Sequence, residues 1–221
     1  MNLLLKKCKN YFQFIFSKAG YKKNWRKVMD YDQYIKLQLS KTSDEKRIVK
    51  WKTDEWDIKL NGFIKMFKRH LKIINKSNNS LCLGSRTGQE VAALQSFGID
   101  SIGVDLVAFP PYTVIGDIHN LPFHIETFDL AFSNIYDHIL YPEKFAAECF
   151  RVLKNKGILI LHVSLGFDPD EFSVNYVYNE KQIIELFNQA GFNILNSNVI
   201  SNEYDSMNFE FIFEKKVLNA N

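Results

Sequence analysis

The chain predicts an α/β fold in which a mostly parallel sheet is covered by helices on both faces, and three observations carry that reading. From residue 80 onward, short apolar runs alternate with helix-length amphipathic patterns. The early runs close on glycine or aspartate, at Gly84, Asp105 and Gly116-Asp117. The last two runs have no helix between them, so they must pair antiparallel. Alternation of strand and helix buries both faces of a parallel sheet. The predicted class is Rossmann-like with seven strands, and 221 residues accommodate one such domain plus an extension.

Taken in order, residues 1–78 read as a basic helical N-terminal extension and residues 79–221 as the α/β domain. The extension holds an amphipathic stretch near 2–17, a short helix near 30–40 and a longer helix near 54–75. In the longer one Trp56, Leu60, Phe63, Ile64, Phe67, Leu71 and Ile74 recur at three- and four-residue spacing, the stripe of a helix packed on a core. Strands follow at 81–83, 101–104, 113–115, 128–132 and 158–163, and two more at 192–200 and 209–213. Helices are read at 89–97, closed by Gly98, at 142–153, and at 180–190, stopped by Gly191. Phe109-Pro110-Pro111-Tyr112 reads as a rigid connection.

Composition narrows the class further. With 46% hydrophobic and 24% charged residues the chain is a folded protein rather than a disordered one. Cys8, Cys82 and Cys149 are widely spaced without a CxxC pair, which argues against a disulfide framework or a metal site and for a reducing compartment. No apolar run approaches the roughly 18 residues of a membrane span, and the N-terminus lacks a secretory pattern. The expected location is cytoplasmic. The net charge of +3 hides an asymmetry: residues 1–78 hold 20 basic and 7 acidic side chains, the remainder 8 and 18. Either the extension meets something anionic, or the two parts attract each other.

In such sheets a ligand lies outside the carboxyl ends of the strands, where strand order reverses. The first loop there is Gly84-Ser85-Arg86-Thr87-Gly88, whose end glycines permit a sharp turn and a close approach to a ligand. Asp105, at the end of the second strand, can accept from both hydroxyls of a ribose. A dinucleotide fingerprint needs glycine where Arg86 and Gln89 stand, so NAD is disfavoured. Asp117-Ile118 places an acid for an adenine amino group beside an apolar residue for the ring. An acid there suits adenosylmethionine, which has no phosphates to repel.

The series LCLGSRTG (81–88), IGVD (102–105), GDIHNLPF (116–123), FDLAFSNIYDHIL (128–140) and FRVLKNKGILILH (150–162) resembles the class I S-adenosylmethionine-dependent methyltransferases, and among them the broad methyltransferase type 11 group. The resemblance covers roughly residues 80–215. It implies the strand order 3-2-1-4-5-7-6 with the last strand antiparallel, and S-adenosyl-L-methionine as cofactor. It also implies that Gly84, Ser85, Arg86, Thr87 and Gly88 wrap the methionine portion while Asp105 holds the ribose. Leu106 and Ile118 would sandwich the adenine, Asp117 would accept from its amino group, and Ser133 and Asn134 would border the methyl group. Two positions depart from the family pattern: Cys82 stands where an acid is usual, and Arg86 where glycine is usual. Glu90 is the candidate replacement for the acid, and Arg86 a candidate for binding the cofactor carboxylate or an acidic substrate.

Methyl transfer mainly needs alignment of donor and acceptor, and a base only when the acceptor must lose a proton. Asp137 and His138 are the candidate catalytic residues, whereas His119 and His124 read as wall or surface residues. Segment 167–178, with Asp168, Asp170 and Glu171, reads as part of an acceptor wall or lid, or as a plain surface loop. The leading function is O-methylation of a small molecule or a glycan or sugar-nucleotide, with an anionic acceptor suited to the basic extension. One alternative is an RNA methyltransferase that binds through the extension. Against it, strand four ends in FSNIYDH rather than in the (D/N)PP(Y/F) motif of many amino-methylating enzymes. Another is a non-catalytic scaffold held at a membrane surface by residues 1–20.

Overall fold

A computed structural model describes residues 25–166, 169–200 and 207–217. The amphipathic stretch at 2–17, Cys8 and Asp168 lie outside the described residues. Seven strands form one sheet: β1 (Asn79–Leu83), β2 (Asp100–Asp105), β3 (Thr113–Ile115), β4 (Phe128–Ser133), β5 (Leu153–Val163), β6 (Phe192–Val199) and β7 (Phe209–Lys215). Their order is 3-2-1-4-5-7-6, as predicted. The first five are mutually parallel, and β7 runs antiparallel to both β5 and β6. A separate two-stranded ribbon, which the sequence reading did not contain, pairs Trp25–Arg26 with Asn175–Tyr176.

Helices cover both faces: α1 (Tyr31–Thr42), α2 (Glu45–Lys52), α3 (Trp56–Lys68), α4 (Leu71–Ile74), α5 (Gln89–Gln95), α6 (Pro142–Val152) and α7 (Glu180–Gln189). Asp30 caps α1 by accepting from Gln33 N at 2.8 Å, and Asp44 caps α2 by accepting from Arg47 N at 2.8 Å. Helix α2 was missed because EKRIVKWK carries too few apolar residues to show a stripe; its cap and tertiary contacts carry it instead. The single helix expected over 54–75 is interrupted at Arg69 and His70. Their N–H groups bond the carbonyls three residues back, a tightened last turn, and His70 Nε2 meets the buried carboxylate of Glu210 at 2.9 Å.

Alternation along the strands sends Leu81, Leu83 and Ala131 to one face, against Phe145 of α6 and Phe187 of α7. Cys82, Leu130, Phe132 and Ile160 go to the other, against Phe63, Met66 and Phe67 of α3 and Val91 and Leu94 of α5. The extension thus supplies a covering helix of the sheet itself. Its cations also find acids of the later chain: Arg26 pairs with Glu143 at 2.8 Å, Arg47 with Glu171 at 3.3 Å and Lys41 with Asp170 at 3.6 Å. The two parts attract each other, which is one of the two readings the charge asymmetry left open. Among the described residues no helix is long and apolar enough to cross a membrane.

Phe67 is fully buried between α3 and the sheet, edge-on to Phe132 at 5.3 Å. Phe67→Ala is expected to cost about 3–5 kcal/mol in urea unfolding, with helix and sheet lost in one transition. A loss below about 1 kcal/mol, or two separate transitions, would show that α3 is not part of the core.

Candidate functional site

A cavity of about 720 Å³ opens at the carboxyl ends of β1 to β4, within the range that takes a small ligand or cofactor. Of the residues singled out from sequence, Gly84, Arg86, Asp105, Leu106, Asp117, Ile118, Asn134, Asp137 and His138 all line it. Ser85, Thr87, Gly88 and Ser133 do not; they hold the loop from behind. Ser85 Oγ lies 3.1 Å from Thr113 Oγ1, Thr87 Oγ1 donates to Gln89 Oε1 at 2.9 Å, and Ser133 Oγ donates to the Leu83 carbonyl at 3.3 Å. Gly88 takes φ 90°, and a Cβ there would collide with Tyr112. Packing demands that glycine.

Asp105 is the anchor of the loop. Its Oδ2 accepts from Arg86 N at 2.9 Å and its Oδ1 from Leu106 N at 2.7 Å. Burial raises its carboxyl above the ordinary range, and the Arg86 charge and the neighbouring N–H groups offset this in part. The Val107 N–H also turns toward this carboxylate, and the accepting capacity left over faces the cavity, where a ribose hydroxyl would donate. Arg86 holds φ 45°, the left-handed backbone that glycine takes without penalty. Its guanidinium lies 5.1 Å from the Trp51 ring on α2. The loop keeps its shape with arginine because α2 supports the side chain.

Asp117 differs from expectation in its surroundings. Its Oδ1 accepts from both His119 N at 2.8 Å and His119 Nδ1 at 3.0 Å, and its Oδ2 accepts from the Tyr31 hydroxyl. One lone-pair site on Oδ2 is left for a further donor. Burial would raise this carboxyl, but these hydrogen bonds outweigh it and hold it at about 2. His119 is therefore neither wall nor surface. It is buried, its Nε2 accepts from Tyr141 N at 3.2 Å, and it packs with Tyr31, Tyr34 and Tyr141. His124 is exposed, as read.

Glu90 is buried beside Cys82. Burial pushes Glu90 up to about 7, and burial together with the Glu90 charge pushes the Cys82 thiol well above its usual range. Glu90 faces not the large cavity but a void of about 10 Å³ shared with Lys59, Arg86 and Asn134.

At the opposite end, the short 3₁₀ turn Tyr136–His138 presents Asp137 and His138. Asp137 does not cap the following helix; its Oδ2 accepts from Ser173 Oγ at 3.0 Å. His138 Nε2 lies 2.9 Å from Lys41 Nζ. The segment 169–177 lines the cavity with Asp170, Ser173 and Asn175, so the described part of 167–178 is a wall. Helices α1 and α2 add Tyr34, Gln38, Lys41 and Trp51. Sequence reasoning missed these because nothing in the helical pattern marks which polar residue faces a cavity. Their only trace was the excess of cations. Among the described residues no cluster of three or more His, Cys, Asp or Glu side chains could hold a metal ion.

Residues 81–161 match the family described as methyltransferase domain. No curated protein matches the chain in sequence. Among solved structures, it is similar to the 1,6-didemethyltoxoflavin-N1-methyltransferase of Burkholderia thailandensis, solved with 1,6-didemethyltoxoflavin and S-adenosylhomocysteine bound. That match has 17% identity and a TM-score of 0.69 over 86% of this chain and 92% of that one. An S-adenosylmethionine-dependent methyltransferase from Methanosarcina mazei matches at 17% identity and TM-score 0.51, over 63% of this chain and 93% of that one. The [4+2]-cyclase SpnF matches at 16% identity and TM-score 0.54, over 67% and 80%. The fold is that of the class I S-adenosylmethionine-dependent methyltransferases, and residues 81–161 carry the match to the methyltransferase domain family.

The buried Glu90 makes a stability prediction. Its carboxyl shifts from 4.5 to about 7 on folding, so ionising it opposes the folded state. The Glu90 contribution to stability should fall as pH rises from about 4.5 through about 7. Glu90→Gln, which cannot ionise, should gain in melting temperature relative to wild type across that window and match it below. A difference independent of pH would show that the carboxyl ionises freely.

Proposed function

We infer that this chain transfers a methyl group from S-adenosylmethionine to an oxygen of a small-molecule acceptor, inside the cavity at the carboxyl ends of β1 to β4. The observation that carries the reading is Asp105: a buried carboxylate at the end of β2, bonded to the glycine loop, open to a cavity with Leu106 and Ile118 beside it. The donor set fits the cofactor. Acids at 105 and 117 suit a nucleoside without phosphates, and the loop lacks the glycines a pyrophosphate needs. When bound, the cofactor supplies an electrophilic methyl group on a sulfonium.

The chain's own residues then have distinct tasks. Asp105 accepts from the ribose hydroxyls, Leu106 and Ile118 flank the adenine, and Asp117 offers its remaining lone pair to the amino group. Gly84 and Arg86 turn the loop about the methionine portion, with Ser85, Thr87, Gly88 and Ser133 bracing it. Asn134 borders the reacting end. Asp137 and His138, facing the wall formed by 169–177, handle the acceptor. Helices α1 and α2 beside the cavity support a small acceptor, including a glycan or sugar-nucleotide, over a polymer such as RNA. Lys41, Arg47 and Arg86 in its lining support an anionic one. Residues 25–78 and the α/β domain work as one unit in this reading, and the buried thiols Cys82 and Cys149 fit the reducing cytoplasm.

Calorimetric titration tests the cofactor assignment directly. S-adenosylmethionine and S-adenosylhomocysteine should bind and NAD should not. Asp105→Ala should weaken binding roughly 10- to 100-fold, the worth of about 1.5–3 kcal/mol for hydrogen bonds to a charged group. Binding of neither cofactor form by the wild-type protein would sink the methyltransferase reading and leave a non-catalytic scaffold.

A further inference from the structure

Two groups at the far end of the cavity meet in a way that constrains the chemistry of the site. Lys41 comes from α1 and His138 from the turn after β4. Lys41 Nζ lies 2.9 Å from His138 Nε2 and 3.6 Å from Asp170 Oδ2, and 5.1 Å from the centre of the Phe172 ring. Its side chain is only 13% exposed, that of His138 17%. His138 Nδ1 is buried without a hydrogen-bond partner among the described residues. Asp137 does not orient the ring: its Oδ2 stands 3.5 Å from Nε2 and accepts from Ser173 Oγ instead.

A lysine ammonium has three donors and no acceptor. Facing one at 2.9 Å, Nε2 must supply the lone pair, and the proton of a neutral imidazole then resides on Nδ1. The charged groups around the ring are Asp137 on its own turn, Lys41 on α1 and Asp170 on the wall segment, with the Phe172 carbonyl nearby. Burial first, and then the Lys41 charge, hold the imidazole below its ordinary value despite both carboxylates. The lysine is lowered too, by burial and by Arg86. A doubly protonated pair is disfavoured from both sides.

We propose that Lys41 is a positioning residue of the acceptor site: by donating into Nε2 it fixes the His138 proton on Nδ1, leaves the ring no lone pair for an incoming proton, and assigns the base role to Asp137. This rests on the methyl-transfer reading for the role of Asp137, while the state of His138 stands independently. It divides the pair named from sequence: His138 is a neutral, fixed group and Asp137 the proton acceptor. Atoms and charge balance as follows. The acceptor O–H bond breaks as its O–CH₃ bond forms, the S–CH₃ electron pair stays on sulfur, and the proton passes to an Asp137 carboxylate oxygen and then to water. Among the small acceptors proposed above this narrows the class to a hydroxyl acidic enough for a carboxylate base, such as a phenol or an enol, and removes the alcohol hydroxyls of a glycan.

Multiple-bond ¹H–¹⁵N NMR of the histidine rings, on the full chain with and without S-adenosylhomocysteine, tests this, with His138→Gln assigning the signal. The expected wild-type result is a neutral ring with a single Nδ1–H tautomer across about pH 6 to 8. In Lys41→Met the titration should move upward and the single tautomer should be lost, and Lys41→Arg should restore both. An Nε2–H tautomer or an imidazolium in the wild type at neutral pH, or a Lys41→Met spectrum unchanged from wild type, overturns the proposal. The wild-type spectrum decides alone should Lys41→Met fail to fold. Failure of S-adenosylhomocysteine to bind would remove the methyl-transfer reading while leaving the tautomer measurement intact.

Discussion

Strand β1 lies between β2 and β4, so the chain leaves it first toward one side and then toward the other. Parallel strands that diverge in this way cannot close over their own carboxyl ends, and a crevice is left there. The glycine loop, Asp105 and the turn bearing Asp137 all occupy it because each follows a strand that ends there. Burial of Leu81 and Leu83 on one face and Cys82 on the other fixes the register of β1. A slip by one residue would reverse both faces and dismantle the crevice.

The N-terminal helices complete what the sheet leaves open. Their docking combines an apolar seam through Phe63, Met66 and Phe67 with polar ties that reach deep into the domain. Glu210 illustrates the second kind. It is buried on β7 and accepts from both His70 and His162, whose protons and charges hold its carboxyl far below the ordinary range although burial acts against this. A buried carboxylate without those partners would be costly. The end of α3 and the centre of the sheet are therefore bound to the same group.

The regular part of this architecture was legible because parallel strands buried on both faces write themselves as continuous apolar runs, and the strand read at 128–132 is β4, Phe128–Ser133. The strand ends carried the site for the same reason: Asp105 and Asp117 are placed by the strands before them. What was not legible depended on partners distant in sequence. Nothing around Glu45 announces α2, nothing around Arg69 announces that a helix will break toward Glu210, and nothing in the extension tells Lys41 from the cations on its outer faces. The role of His119 was hidden likewise, since its contacts come from Tyr31, Asp117 and Tyr141. Fold identity also leaves the reaction open, as the similarity to a [4+2]-cyclase shows. The chemistry is decided by the side chains at the crevice.

The small ribbon that pairs Trp25–Arg26 with Asn175–Tyr176 has a consequence for how the molecule comes into being. Its two strands lie near opposite ends of the chain, and Lys27 N continues the contact by donating to the Val174 carbonyl at 2.7 Å. A ribosome makes the first strand long before the second, and long-range pairings of this kind are the slow ones. The residues just before α1 gain this tie only after most of the sheet has been made, whereas Tyr31 at the start of α1 already has Asp117 and Tyr141 to meet. The ribbon is thus one of the last pairings to form, and a nascent chain arrested before residue 175 would lack it while still holding the ties of Trp51 to Gln89 and of Tyr31 to Asp117.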